Sequence, residues 1–251
     1  MIKSLVLAAS LIVLPVAGQS AVMQATWTGT ITSGYDQTDT FGTGNTDLSG
    51  LTYSMNFKFN TSRGVRVTDG STFDQLAGGL DYFGTPSSPV LSASIQINGK
   101  TRSSKGANQG YVYTQDANTY GYNYYLNSAY DYSTQSNGSS KYNYLYGYFY
   151  DYLLNTLLTT PGTLDQPFSL ANGGSTYCTD YLGYCGFFQF YDYNAVIGDF
   201  RTYTFGYLDV SNITVTEISP SAVPLPATAF MLMGGVAGLG LIRRRKARGT
   251  A

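Results

Sequence analysis

Leu51 to Asn60 reads LTYSMNFKFN, and its alternation decides the fold class. Leu51, Tyr53, Met55, Phe57 and Phe59 occupy every second position, with Thr52, Ser54, Asn56 and Lys58 between them. A period of two puts the apolar set on one side of an extended chain and the polar set on the other, which is the pattern of a half-buried β-strand. Ala25 to Thr32, ATWTGTIT, mixes β-branched and aromatic residues in the same way. VLSASIQINGKTRSS alternates through Ile95 and Ile97 into Asn98-Gly99, a pair suited to the positive φ angles of a two-residue hairpin turn. Arg201 to Val210 and Ser211 to Ile218 read as two further strands.

Composition agrees with this reading. The chain has 251 residues with 24 Tyr, 29 Gly and only 12% charged residues, and Glu217 is its single glutamate, which suits strands and turns better than helices. Residues 22–218 are enough for one core, and the run of short alternating segments predicts an all-β domain of β-sandwich or jelly-roll type.

Fourteen of the tyrosines fall between Tyr111 and Tyr152. In KYNYLYGYFYDYLL, Tyr142, Tyr144, Tyr146, Tyr148, Tyr150 and Tyr152 are two apart and share one face of a strand, with Asn143, Leu145, Gly147, Phe149 and Asp151 on the other. Tyr120, Tyr122 and Tyr124 repeat the spacing in an expected neighbouring strand, with Ser133 to Lys141 as the turn between them. Two readings stand for this hairpin. The one expected first is cross-strand tyrosine pairs that stabilise a wet sheet by themselves; the alternative is that flat rings carrying hydroxyls form a platform on which polysaccharide can stack. Leu153, Leu154, Leu157 and Leu158 then suggest a short buried helix or strand end before Pro161-Gly162.

The chemistry-bearing residues are few. There is no histidine, which removes Ser-His-Asp, Cys-His and His-metal schemes. An aspartate pair such as Asp131 and Asp151 is what remains for a polysaccharide hydrolase or lyase, and no enzyme activity, catalytic residue, cofactor or metal is expected. Asp36, Asp39, Asn45 and Asp47 bring oxygen atoms into one loop, but their spacing matches no calcium-binding repeat, so a solvated loop is expected. Cys178 and Cys185, the only cysteines, read as a disulfide closing a small loop in an exported chain, with a metal or redox pair as the alternative.

The two ends describe traffic. Residues 1–21 order a basic Lys3, an apolar run from Leu5 to Val16 and small residues, the grammar of a secretory signal peptide that engages the Sec machinery. At the other end a spacer, 219–222, leads into VPLPATAFMLMGGVAGLGLIRRRKARGTA, residues 223–251. It holds Val223, Pro224, Leu225, Pro226 and Ala227, then an uncharged span 227–242, then a basic cluster in 243–248 that includes Arg243, Arg244, Arg245 and Lys246. Sixteen residues reach ~24 Å as a helix against a ~30 Å hydrocarbon core, a marginal single transmembrane span that snorkelling basic side chains can help to complete. Basic residues at both ends orient both towards the cytoplasm and export the part between. That part, residues 22–226, carries eight Lys/Arg against fifteen Asp/Glu, a balance of −7 that argues against nucleic acid as a partner.

The tail resembles the PEP-CTERM class of bacterial sorting signals in its VPLPA variant, with Leu225 where the eponymous motif has Glu. The resemblance implies an inner-membrane-anchored precursor, transient recognition and cleavage near the Pro motif by an exosortase-type enzyme, and delivery to the cell surface or exopolysaccharide matrix of a Gram-negative bacterium; the other reading of the same short span and basic stop is a plain C-terminal membrane anchor. A structural or adhesive role is the function it implies first, a carbohydrate-binding surface module the alternative. Fragments such as WTGTITSG and SASIQINGK also look like the β-rich ectodomains that accompany such tails.

Overall fold

The computed structural model describes residues 21–42, 44–68, 72–115, 123–151, 164–171, 185–194 and 199–218. Every regular element among them is a β-strand, so the all-β expectation holds. The first half of the chain supplies β1 (Val22–Asp36), β2 (Thr46–Asp47), β3 (Thr52–Asn60), β4 (Val65–Thr68), β5 (Phe73–Gly78), β6 (Val90–Ile97), β7 (Lys100–Ser104) and β8 (Gln109–Gln115). The second half supplies β9 (Asn123–Thr134), β10 (Ser139–Asp151), β11 (Phe168–Ala171), β12 (Gly186–Asn194) and β13 (Asp199–Ile218). All pairings are antiparallel, in the order β4-β5-β8-β9-β10-β12-β13-β1-β3-β6-β7, with β2 attached to β1 and β11 to β13.

The alternation of LTYSMNFKFN becomes β3 as expected: Tyr53, Met55, Phe57 and Phe59 are buried and the residues between them are not. The Asn98-Gly99 hairpin also forms, with φ of 50° and 74° at its two corner residues, the left-handed pair that a tight hairpin requires. The two C-terminal segments are instead one 20-residue strand, β13. Its buried positions run 204, 206, 208, 210 and then 213, 215, so the phase slips by one residue where its register against β1 shifts. A β-bulge makes this slip. Gly29 sits in the facing strand at that point, where a Cβ would lie 1.9 Å from the Asp209 carbonyl oxygen and only glycine allows the approach.

Residues far apart in strand order meet across the interior. Trp27 of β1 donates Nε1–H to Asn127 Oδ1 of β9 at 2.9 Å, and Arg102 of β7 donates to Asn143 Oδ1 of β10 at 3.1 Å. Such contacts require the sheet to curl until its two halves face each other. Hydrogen bonding nevertheless stays continuous through one sheet, whereas a sandwich or jelly roll was expected to divide it in two. The two longest strands, β1 and β13, of 15 and 20 residues, lie mid-sheet and pair along a register that shifts twice. The space between the two halves is filled by Trp27, Phe57, Phe59, Phe188, Met55 and Ile95, all buried to 0% exposure. Each such side chain contributes ~1.5–3 kcal/mol by leaving water.

β10 forms one wall of this core. Leu145 and Phe149 are buried, and between them Gly147 faces Met55 Cε and the Trp27 ring, each 3.1 Å from where a Cβ would stand. The inner face of β10 is therefore the one sequence alternation assigned to Leu145, Gly147 and Phe149. The tyrosines of the same strand take the outer face.

Candidate functional site: an aromatic outer face

Register assembles the tyrosines into rows across the strands. Tyr142 of β10 pairs with Tyr132 of β9 on one side and Tyr191 of β12 on the other, and Tyr191 pairs with Tyr203 of β13. This row of four phenols crosses four strands, spaced ~4.8 Å apart in the hydrogen-bonding direction. The next row runs Tyr130, Tyr144, Gln189, Phe205 and Tyr35, and the one after it joins Tyr146 to Phe187 and Tyr207. Tyr111 and Tyr113 of β8 and Tyr124 of β9, opposite Tyr150, extend the aromatic cover.

The rings hold one another in place. Tyr142 stacks on Tyr191 at 4.4 Å between centroids, Tyr124 on Tyr150 at 4.5 Å, and Tyr144 meets Phe187 edge-on at 5.0 Å. Aromatic pairs in such geometry add ~0.5–1.5 kcal/mol beyond area burial, so the face is rigid before any ligand arrives. Mutual packing leaves Tyr142, Tyr144, Tyr146 and Tyr150 half-buried and Tyr148 buried, more covered than a sheet face presenting its phenols to solvent. The ends of the first row are open: Tyr132 is 38% and Tyr203 44% exposed. Beside Tyr203 a groove of about 380 Å³ is lined by Gln189, Tyr191, Tyr203, Thr204 and Phe205.

Burial favours the neutral, hydrogen-bonding form of five of these phenols. Burial pushes Tyr111 and Tyr130 up to about 12, with neighbouring Tyr113 adding to the first and Tyr191 to the second. Burial also raises Tyr144 and Tyr191, and raises Tyr124 further with the help of Tyr146 and Tyr150. Tyr132 moves the other way, because Ser140 and Thr134 donate hydrogen bonds to its oxygen.

Several expected roles are reassigned. The connection between β9 and β10 is the short turn at 135–138, not the whole of Ser133 to Lys141, since Thr134 already pairs with Ser140. The ring partners of Tyr142 and Tyr144 in β9 are consequently Tyr132 and Tyr130; Tyr120, Tyr122 and Tyr152 lie outside the described residues, as do the Leu153 to Leu158 segment and Pro161-Gly162. The members contributed by β12 and β13 were missed, although Phe187, Gln189 and Tyr191, and then Tyr203, Phe205 and Tyr207, carry the same spacing of two.

Asp131 and Asp151 do not form a catalytic pair. Asp131 stands opposite Asn143, and Asp151 is eight residues further along the strand, ~27 Å away at ~3.4 Å per residue. The Asp131 carboxylate instead accepts from Ser104 Oγ at 3.0 Å and from the backbone N–H groups of Lys105 and Ala107, fixing the chain after β7. The acidic loop is likewise self-satisfied. Asp36, fully buried, accepts from Thr40 N at 2.9 Å, Phe41 N at 2.8 Å and Thr204 Oγ1 at 2.7 Å. Asp39 accepts from Gly44 N, Asn45 offers its carbonyl to the Tyr35 hydroxyl, and Asp47 accepts from Ser49 N. Among the described residues no group of three acidic, cysteine or histidine side chains is placed to hold a metal ion.

Cys185 is buried, with no free cysteine among the described residues. Cys178 lies outside them, as do the residues 1–20 and the whole of 219–251, including Val223 to Ala227 and Arg243 to Lys246. No described helix is long and apolar enough to cross a membrane. No family model, curated protein or solved structure matches the chain.

Proposed function

We propose that this chain is an exported surface or matrix protein that holds extracellular polysaccharide against its aromatic outer face. The observation that carries the proposal is the row Tyr132, Tyr142, Tyr191 and Tyr203 together with the groove beside it. Pyranose rings have one or both faces rich in C–H and edges rich in hydroxyls. A pre-stacked row of phenols matches both: the rings offer flat apolar contact, and the phenol O–H groups with the Gln189 amide offer donors and acceptors at the edge. Little rotamer freedom remains to be lost on binding, because the rings already restrain each other. Extended polymers suit an open face across several strands better than a closed cavity would.

Export and delivery belong to the same reading and rest on the sequence. Signal peptide 1–21 would pass the chain to Sec, the span 227–242 would hold it at the inner membrane, and an exosortase-type enzyme would act near Val223 to Ala227. The last described strand, β13, ends at Ile218, so cleavage near Val223 to Ala227 would leave every described strand in place.

Affinity electrophoresis of the full chain through gels containing the producing cell's exopolysaccharide tests the binding proposal. Retardation that falls about tenfold in affinity, equivalent to ~1.4 kcal/mol, on Tyr191→Ala or Tyr203→Ala supports it. Migration unaffected by the polymer, or retardation indifferent to both variants, refutes it.

A further inference from the structure

The aromatic groove has a charged neighbour. A second cleft, of about 190 Å³, is lined by Thr38, Thr40, Arg102, Lys141, Phe190, Tyr191 and Asp192, so Tyr191 borders both. Its volume equals roughly six waters' share of the liquid, room for a charged substituent and part of the ring that bears it.

Two features leave Arg102 short of partners for its charge. Its guanidinium lies over the Phe190 ring, 5.5 Å from the centroid, and one Nη2–H goes to Asn143. Its Nε is buried without a hydrogen-bond partner, and no carboxylate among the described residues lies within ion-pair distance of it. The surrounding acids are otherwise engaged. Asp36 accepts from two backbone amides and Thr204 and Asp39 holds Gly44 N, while Asp192, which also lines the cleft, sits 3.8 Å from Lys141 and partly balances its charge, so Arg102 is the lining cation left without a carboxylate. Lys100 adds a third cation at this end of the fold, its side chain packed over Gly42. Three of the eight Lys/Arg in residues 22–226 thus gather around the Thr38–Gly44 loop in a domain whose balance is acidic.

We infer that the polysaccharide bound by this chain is acidic, and that the Arg102–Lys141 cleft takes the carboxylate of one of its uronic acid residues. A guanidinium offers planar, charge-assisted donors to a carboxylate, the adjacent ammonium adds a point charge, and the Thr38 and Thr40 hydroxyls can serve the sugar's own hydroxyls. The inference rests on the proposed binding of polysaccharide by the aromatic face.

The test uses the full chain and four polymers, polygalacturonate and alginate, each beside its methyl ester, which removes charge while keeping the backbone. Binding to at least one carboxylated polymer is expected to exceed that to its ester by about tenfold or more and to weaken with added salt. Lys141→Gln, at a side chain 45% exposed and so tolerant of exchange, should erase most of that preference, and Arg102→Gln should do so more fully where its thermal melt shows it folded. Equal binding of acid and ester, or no binding of any of the four, overturns the inference. The aromatic-face proposal falls separately, on loss of retardation by the producer's own polymer or on indifference to the Tyr191 and Tyr203 variants.

Discussion

Replacing Gly147 by alanine separates the two faces of β10 by the sign of its effect. In an open strand position the change stabilises by ~0.5–1 kcal/mol, because glycine loses more backbone freedom on folding. At Gly147 the added methyl meets Met55 Cε and two Trp27 ring atoms at 3.1 Å, about half an ångström inside the ~3.5–4.0 Å optimum for carbon contacts. Met55 can yield. Trp27 cannot easily do so, since Nε1–H is bonded to Asn127 and its ring stacks on Tyr125 at 5.7 Å. Overpacking of this kind costs ~1–3 kcal/mol, so the net effect is a loss of up to ~2.5 kcal/mol after the backbone gain. At ~2–4 °C per kcal/mol for a domain of this size, the midpoint should fall, by up to about 10 °C, with the urea m-value unchanged. Thermal and urea melts of the full chain in mild nonionic detergent measure it. A raised midpoint would place Gly147 in open space, and the tyrosines would then line the core instead of the outer face.

Raising the pH above 10 should loosen the protein. The unfolded phenol value is 10.0 and the folded Tyr111 and Tyr130 values are about 12, so their contribution is complete below pH 10 and disappears as pH climbs to 12. Midpoints at pH 9, 10, 11 and 12 should drop over that window, and a flat profile would contradict the burial of these rings. Arg66→Gln strips Asp74, 1% exposed, of a partner that binds it through Nε at 2.9 Å and Nη2 at 2.5 Å; urea melts should show a loss below the ~3–5 kcal/mol of a fully buried pair, because Arg66 is 35% exposed, and no loss would mean that the Leu164 N–H alone satisfies the carboxylate. Exported material should carry a Cys178–Cys185 disulfide, so alkylation under denaturing, non-reducing conditions should leave both cysteines unlabelled by mass, while two added labels would exclude the bridge.

Local alternation made β3, β6, β7 and the Asn98-Gly99 turn legible, because each is determined by side chains within ten residues of one another. β13 was harder to read. Its alternation breaks between Val210 and Ile213, and without the facing Gly29 the break reads as the end of one strand and the start of another. The tyrosine face was half legible: spacing in β10 gave the outward side, but register against β9 and β12 decides which rings touch, and register is a long-range property. Acidic residues misled for the opposite reason. Asp36 and Asp131 look available in the sequence, yet backbone amides several to many residues away consume them. The Arg102 cleft has no sequence signature, since β7, β10, β12 and the Thr38–Thr40 loop meet there only after the sheet has curled.

Chemical footprinting of the tyrosines tests the central claim most directly. The full chain is nitrated with tetranitromethane, alone and with saturating exopolysaccharide from the producing cell, and each site is quantified by peptide mass spectrometry. Tyr132 and Tyr203, the open ends of the row at 38% and 44% exposure, should react readily in the free protein and become protected together with Tyr191 when polymer is present. Nitration of Tyr132, Tyr191 and Tyr203 that is the same with and without polymer would contradict the account.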